Sequence, residues 1–363
     1  MYITQDDLSK NSGYAFRVDR LRRAMEKAGA AVEVVGLSLG RPAIESTVVQ
    51  LRSPLGRLWT LFAGLFRRAD YAVITSIGAP YNGIYAWLLR LFGKRVIYDL
   101  HDPVLYSLTE VFGKGPLMRV ALPYLAFSEH LIDRAAVATV AASPSAIDLY
   151  KQRRWHGPMK LAYNVRDIPT GTHEGRSIRE PFAWTDATIV VYVGGLQRGV
   201  RGVEQQLAAI TEARGRSAPV VLLMLGFRML GMRDGAYFEK LGRPLIEENA
   251  LHILDDVPPA EMAKILQQCD VAISSEPIGY LMQSKYFDYL CNGVRVVAID
   301  DNRDLIRAFG NLVDTYDGST AALADYLAGR PARLAEAQIE QARYVTRELD
   351  RMADSAVREI LAH

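Results

Sequence analysis

The feature that most constrains the fold of this chain is an alternation of short apolar segments with helix-length segments, which occurs twice. In the first half, the apolar segments lie at 2–4, 31–37, 71–75, 95–101, 138–143 and 159–164. In the second half, they recur at 188–194, 220–226, 251–254, 271–275, 295–299 and 311–316. Strands this apolar are buried on both faces, and strands that alternate with helices form parallel sheets. We therefore expect an α/β protein with two doubly wound parallel sheets.

The segment between the two halves is rich in Pro, Gly, Thr and charged residues, which is typical of a linker. A chain of 363 residues also fits two domains. We predict an N-terminal domain at 1–166, a linker at 167–186, a second domain at 187–340 and a C-terminal helix at 341–363 that crosses back to the first domain. Because loops at the carboxyl ends of parallel strands bind ligands, two such domains would face a cleft.

The composition is that of a globular protein, with 50% hydrophobic and 23% charged residues. The two cysteines, Cys269 and Cys291, lie in apolar contexts and are predicted to be buried thiols. The six histidines form no cluster, so no zinc site is expected. The first residues do not resemble a signal peptide, and together with the few cysteines this predicts a cytoplasmic protein.

Positive charge is concentrated in the first half of the chain. Residues 1–170 hold 22 Lys and Arg against 14 Asp and Glu, a balance of +8. Such a balance suggests an anionic partner, and because no nucleic-acid motif is present we favour a membrane surface or lipid phosphate over nucleic acid. Residues 55–68 form one apolar–basic stripe of helical period, which is interpreted either as a core-facing helix or as a peripheral contact with an anionic membrane.

A glycine-rich loop follows the strand at 188–194. Glycines let a backbone approach a phosphate closely, and the helix after them offers unpaired N–H groups. Arg198 and Arg201 could bind a diphosphate through their planar guanidinium groups. The alternative is a tight turn with solvated arginines. The glycine spacing is not that of the dinucleotide motif, which argues against an NAD enzyme.

Two further segments place polar residues after buried strands. At 276–299, Ser284 is a candidate N-cap, and Asp288 one turn later could hold the two hydroxyls of a ribose. The alternative is a surface helix with a Lys285–Asp288 pair. At 98–103, His101 and Asp102 end a strand and could contact a ligand or move a proton, although a histidine at a strand end can also be structural.

These segments, in this order, resemble the retaining glycosyltransferases of family 4, which have the GT-B fold of two Rossmann-like domains. The N-terminal segment Asn11–Tyr14 is similar to the family's glycine loop, and His101 matches its histidine. Residues 163–167, 193–203 and 285–298 match its "N-G-V-D", "V-G-R-L … K-G" and "K-x-x-E-Y … V-V-A" segments. The resemblance covers essentially the whole chain.

The resemblance implies transfer of a sugar, with retention at the anomeric carbon, from a nucleotide-diphosphate sugar to a glycan or lipid-linked acceptor. It implies no cofactor and no metal, and a role in cell-surface polysaccharide synthesis at the inner face of the plasma membrane. His101, Asp102 and Glu276 would be catalytic, and Ser12, Gly13 and Tyr14 would face the acceptor. The donor would be bound by Gly194, Gly195, Arg198, Arg201, Ile278, Gly279, Ser284, Lys285 and Asp288.

The chain departs from the family pattern at several points. Gly195 and Arg201 stand where the family has arginine and lysine, and Arg295 stands where it has proline. The family's two acids are eight residues apart, whereas Glu276 and Asp288 are twelve apart. These departures leave open a non-catalytic GT-B protein that binds a glycan or a partner glycosyltransferase. An epimerase would need further carboxylates, of which the sequence shows no obvious set.

Overall fold

The protein was analysed as a computed structural model, which describes residues 1–7, 13–37, 48–49, 62, 64–75, 81–101, 103, 116–165, 177–194, 199, 202–225, 232–254, 257–275 and 282–362. The chain divides into two compact units. The first comprises Met1–Val165 and Glu348–His363, and the second comprises Arg166–Arg347.

The first unit is built on a parallel sheet of seven strands in the order β3-β2-β1-β4-β5-β6-β7. The strands are β1 (Tyr2–Asp7), β2 (Val34–Leu37), β3 (Val48–Val49), β4 (Tyr71–Thr75), β5 (Arg95–Leu100), β6 (Ala136–Ala141) and β7 (Met159–Leu161). The helices are α1 (Gly13–Lys27), α2 (Asn82–Leu91), α3 (Pro116–Ala135) and α4 (Pro144–Gln152). The strand order reverses direction between β1 and β4, which is the topological switch point of a doubly wound sheet.

Both faces of this sheet are covered, because successive strand residues point to opposite sides. On one side, Val96, Tyr98 and Leu100 of β5 pack in a cluster with apolar residues of α2, α3 and α4. On the other side, Ile97 of β5 packs with residues of α1 and with Ala353, Val357 and Ile360 near the end of the chain. The continuous apolar runs of the sequence therefore correspond to strands that are buried on both faces.

The second unit repeats this plan with six parallel strands in the order β10-β9-β8-β11-β12-β13. They are β8 (Thr188–Val193), β9 (Val220–Leu225), β10 (Leu251–Leu254), β11 (Val271–Ser274), β12 (Arg295–Ile299) and β13 (Val313–Tyr316). The helices are α5 (Val203–Gly215), α6 (Met232–Glu247), α7 (Pro259–Leu266), α8 (Ser284–Cys291), α9 (Arg303–Phe309) and α10 (Thr320–Ala328). The switch point lies between β8 and β11.

A last helix, α11 (Glu336–Leu361), belongs to both units. Within the first unit it is held to α1 by charged side chains. The buried guanidinium of Arg20 pairs with Asp350 at 2.5 Å and with Asp354 at 2.7 Å, and Lys27 reaches Asp354 at 3.1 Å. Burial disfavours the ionised form of Asp354, but the hydrogen bonds from Arg20 and Lys27 outweigh it and hold the pKa of Asp354 below its usual value.

Because the pKa of Asp354 is lowered in the folded state, its contribution to stability is present above the usual aspartate pKa of 3.8 and is lost as the pH falls through the folded value. We expect Asp354→Asn to lower the free energy of unfolding at pH 7 by about 1–3 kcal/mol. The difference from the parent should shrink below pH ~4. Glu359→Gln is the control on the same helix, because Glu359 pairs with Lys160 at an exposed site. Urea unfolding of both variants at pH 7 and pH 3 measures this, and a pH-independent difference would contradict it.

The described part of the predicted linker, 177–186, is fastened to the second unit. Arg179 donates to Asp270 at 2.8 Å and to the carbonyl of Ala187 at 3.0 Å. The indole of Trp184 is buried and donates to the carbonyl of Asn249 at 2.8 Å. These bonds make the segment a hydrogen-bonded series of turns.

Several local differences from the sequence expectations are seen. The two-residue strand β3 was not predicted, and the last strand begins two residues late because a 3₁₀ turn occupies Gly310–Leu312. Cys269 and Cys291 are buried as predicted, and burial raises the pKa of both thiols, that of Cys291 to about 11. Of the stripe at 55–68, Leu65 is buried and Phe62 is exposed, while 55–61 lies outside the described residues.

Across the described residues, no helix combines the length and apolar character that a membrane span requires.

Candidate functional site

The candidate site of the second unit lies at its switch point, where the carboxyl ends of β8 and β11 are neighbours. Gly194 follows β8 with φ +124°, a backbone conformation that favours glycine. A Cβ atom at Gly194 would meet no atom within 4 Å, so the backbone there faces open space. Ser275 follows β11 and is buried.

The loop after β8 returns to the sheet at Gly202, which touches Ser275. Gly202 has φ +65°, and a Cβ atom there would lie 2.2 Å from the carbonyl oxygen of Ser275. The hydroxyl of Ser275 donates to the carbonyl of Gly202 at 3.0 Å and accepts from the side chain of Gln206 at 2.9 Å. A side chain at position 202 is excluded on both conformational and steric grounds, so the glycine fixes where α5 begins.

Helix α5 begins with Gly202 as its N-cap residue, and no side chain caps it there. The first N–H groups of a helix have no acceptor within the helix, and the helix dipole adds positive potential. The amide of Gly199 donates to Glu204 at 2.9 Å, which shapes the preceding turn. An N-terminus built this way, beside two strand ends, suits an anionic group such as a phosphate.

Helix α8 contributes Lys285, which is buried although it is a lysine. Only 8% of its surface is exposed, and its ammonium nitrogen lies 4.8 Å from the centre of the Tyr192 ring on β8. Most of α8 is buried with it, so the interpretation of this segment as a surface helix is wrong. The prediction that Ser284 is the N-cap is also wrong, because Gln283 takes that position and Ser284 is the first helical residue.

A network of buried polar side chains holds α8 against the strands. The hydroxyl of Ser274 accepts from Tyr286 at 2.6 Å and from the side chain of Asn302 at 2.8 Å. The hydroxyl of Tyr289 accepts the backbone N–H of Val193 at 2.7 Å, at the very end of β8. The sequence analysis did not single out these residues or Ser275 and Gln206. The signal that could have found them is the pair of serines after the apolar run of β11.

The structure places three of the predicted donor-binding residues together on α8, with Asp288 half-buried one turn after Ser284 and Lys285. Gly194 lies at the end of the neighbouring strand β8. Six other predicted residues lie outside the described residues, namely Gly195, Arg198, Arg201, Glu276, Ile278 and Gly279.

In the first unit, His101 is half-buried and directly follows β5. Gly13 and Tyr14 are the first two residues of α1. Ser12 and Asp102 lie outside the described residues. His101 therefore lies at the carboxyl end of β5, which is the edge of a parallel sheet at which ligands bind.

A buried ion pair sets the position of α1 and the end of β5. Arg17 on α1 and Asp99 on β5 have side chains that are 1% and 0% exposed, at 2.9 Å from Nη2 to Oδ1. The hydroxyl of Tyr2 donates to the second oxygen of Asp99 at 2.5 Å, and Arg17 also donates to the carbonyl of Ala162. Every charged atom of the pair therefore has a partner in the protein, which a pair in this environment requires.

Searches with protein-family models and with curated protein sequences gave no match to this chain. Its structure, however, is similar to solved structures over nearly its whole length. HepE of Anabaena in complex with UDP-glucose has a TM-score of 0.72 at 16% identity, covering 99% of this chain and 98% of that one. Sucrose-phosphate synthase from Thermosynechococcus elongatus has a TM-score of 0.66 at 17% identity, covering 98% of this chain and 94% of that one.

WaaG, a glycosyltransferase involved in lipopolysaccharide biosynthesis, is similar with a TM-score of 0.67 at 13% identity, covering 100% of this chain and 99% of that one. Sequence identities this low are evidence for a shared fold alone. The fold prediction is confirmed: two doubly wound parallel α/β units in one chain, matched end to end by these structures, have the GT-B architecture.

Proposed function

We propose that this protein is a glycosyltransferase that moves a sugar from a nucleotide-diphosphate donor to a glycan or lipid-linked acceptor with retention at the anomeric carbon. The observation that carries the proposal is the contact of Gly202 with Ser275, which brings the uncapped start of α5 to the switch point of the second unit. The diphosphate of a donor is the anion that such a helix start would hold.

Known structures with this fold support the choice of ligand. HepE was solved with UDP-glucose, with UDP and glucose, and with UDP. By analogy, the donor diphosphate of our protein would lie against the backbone of 194–203, with Arg198 and Arg201 on its oxygens. Lys285, at the adjacent ends of β8 and α8, would add a positive charge as the diphosphate leaves.

The remaining assignments follow the resemblance in sequence and complete the proposal. Asp288 would accept hydrogen bonds from the ribose hydroxyls, and Glu276, Ile278 and Gly279 would contact the donor sugar. His101 and Asp102 of the first unit would face the donor sugar and the acceptor hydroxyl, and Ser12, Gly13 and Tyr14 would lie near the acceptor. Arginines, Lys285 and the helix start would stabilise the leaving group in the place of a metal ion. We place the enzyme in cell-surface polysaccharide synthesis, at the cytoplasmic face of the plasma membrane.

A non-catalytic GT-B protein is the second candidate, and one observation favours it. Gly195 removes the arginine that the family has next to the diphosphate. Such a protein would bind a glycan or a partner glycosyltransferase. A thermal-shift panel of UDP-, GDP-, ADP- and TDP-sugars separates the two, because a ligand that binds the native state raises the melting temperature. The failure of every nucleotide to raise it would favour the second candidate.

The sharpest test of the diphosphate site is Arg201→Ala. Arg201 directly precedes Gly202, and a lost charge-assisted contact should weaken binding of the selected nucleotide by about 1.5–3 kcal/mol. Arg216→Ala is the matched control, because Arg216 caps the opposite end of α5 and pairs with Glu212 at the surface. Calorimetry should show weaker binding for the first variant and unchanged binding for the control. Equal affinities in all three proteins would remove Arg201 from the site.

A further inference from the structure

Helix α2 of the first unit exposes apolar side chains along one face. Ile84, Trp87, Leu88 and Leu91 are all exposed, and Leu91 is 75% exposed. Their spacing of three and four residues puts them on a single stripe. The opposite stripe, with Tyr85, Ala86 and Leu89, is buried in the core. This helix is thus apolar on both faces, whereas a helix with one face in water usually carries polar residues on that face.

The neighbouring helix α3 repeats the pattern. Val120, Tyr124 and Phe127 are exposed at spacings of four and three, with Val120 75% exposed, while Ser128, Ile132 and Ala135 point inward.

The two helices run in the same direction and touch at two levels. The N–H of Gly83 donates to Ser128 at 3.0 Å, and Arg90 donates to the carbonyl of Arg134 at 2.7 Å. The glycine is required at this crossing, because a Cβ atom there would lie 2.5 Å from the backbone oxygen of Ser128. Both helices cover the same side of the sheet. Because Gly83 lies level with Ser128, the α3 stripe at 120–127 lies before the α2 stripe at 84–91 along this direction, and we refer to the two successive stripes together as the α2–α3 outer face.

The ring pair of Phe66 and Phe92 extends this surface at the end of α2. Their centroids are 5.5 Å apart in an edge-to-face arrangement, and Phe66 is 72% exposed. Scattered single apolar residues are normal on a protein surface, whereas a group of neighbouring ones marks an interaction site.

The charges around the outer face are positive. Arg90, Arg119 and Arg134 are exposed, and Arg90 lies 5.8 Å from the Trp87 ring. The only acids of α2 and α3 are Glu129 and Asp133. Glu129 accepts from Tyr150 at 2.6 Å, and the buried Asp133 accepts the N–H groups of His156 and Gly157. Neither carboxylate offsets the arginines on the outer face.

We propose that the α2–α3 outer face docks the protein on an anionic lipid bilayer, with its apolar stripes in the headgroup region and its arginines on the lipid phosphates. Aromatic rings and arginines beside aliphatic side chains are the combination that lies stably at a membrane interface. The excess of positive charge in residues 1–170 adds a longer-range attraction. The inference names the surface for the membrane association that we proposed, and on that point it rests on the proposed function.

Co-sedimentation with vesicles tests the surface directly. Phosphatidylcholine vesicles that contain phosphatidylglycerol should bind the protein at low salt and release much of it as salt rises, because the Debye length falls from ~30 Å at 0.01 M to ~8 Å at 0.15 M. Vesicles of phosphatidylcholine alone should bind less. The variant Leu91→Asp/Val120→Asp should bind these vesicles roughly tenfold or more weakly, because a negative charge opposes insertion into an anionic bilayer. Both positions are exposed, so the substitutions should leave the fold intact.

The control variant is Tyr344→Asp, which changes an aromatic residue of the second unit that is 58% exposed. It should bind vesicles as the parent does. Three results would overturn the proposal: no binding to anionic vesicles at low salt, equal loss in both variants, or a dimer of the parent that Leu91→Asp/Val120→Asp makes monomeric. Vesicle binding by a protein that binds no nucleotide would support the docking surface and overturn the proposed function instead.

Discussion

Replacing Gly202 with alanine is expected to destabilise the second unit and to abolish most nucleotide binding. A residue other than glycine in this left-handed conformation costs about 1–2 kcal/mol. The new methyl carbon would also lie 2.2 Å from the carbonyl oxygen of Ser275, so backbone must move, at a further cost of about 1–3 kcal/mol. Because that movement displaces the start of α5, the nucleotide affinity should fall roughly tenfold or more.

The chain provides a matched control for this substitution in Gly199→Ala. Gly199 also has a left-handed backbone, at φ +69°, but a Cβ atom there would meet no atom within 4 Å. It therefore carries the conformational cost without the collision. Urea unfolding should place Gly202→Ala well below Gly199→Ala in stability. Calorimetry of Gly202→Ala and the parent measures the loss of nucleotide affinity. Indistinguishable values for the two variants would show that the contact with Ser275 is unimportant.

Replacing Asp99 with alanine should cost about 3–5 kcal/mol in the free energy of unfolding, because it leaves the guanidinium of Arg17 buried without a counter-charge. The hydroxyl of Tyr2 would lose its acceptor as well. The loss would be a large part of the stability of an ordinary domain. Denaturant unfolding of the purified variant measures it.

The double variant Arg17→Met/Asp99→Ala tests the cause. If the penalty comes from an unpaired buried charge, removing the arginine should recover a large part of it. Glu26→Ala serves as the control on the same helix, since the carboxylate of Glu26 is exposed and its pair with Arg22 should contribute less than about 0.5 kcal/mol. A double variant that is as unstable as Asp99→Ala alone would mean that the pair stabilises the fold through its packing and not through its charges.

The strands were the most predictable part of this protein, because a strand buried on both faces is an uninterrupted apolar run. Strands β4, β10 and β12 have the bounds that the sequence predicts. The strand β3 was missed because two valines give no periodic signal. The last helix begins at Glu336, five residues before the predicted start at 341, because no Gly or Pro marks its beginning between residues 332 and 341.

The candidate site was predictable only in part. The glycine-rich loop after β8 and the segment that contains α8 were found from local patterns, because each combines a strand, a turn and a helix start. The contact of Ser275 with Gly202 joins residues 73 positions apart, and the Arg17–Asp99 pair joins residues 82 apart. A surface position for Lys285 was the alternative because lysines are usually exposed, and only the fold brings Tyr192 beside its ammonium group. Contacts of this kind depend on tertiary structure, which a single sequence does not display.

The helix α11 has a consequence for the order in which the protein is made. The core of the first unit includes Ala353, Val357 and Ile360, which are translated long after the strands that they cover. At roughly 5–20 residues per second, the ribosome needs about 10–40 s to pass from residue 165 to residue 361. During that interval one side of the first sheet lacks part of its cover, and all the strands of the second unit are translated. The first unit, although it is translated first, is therefore the last of the two to complete its core.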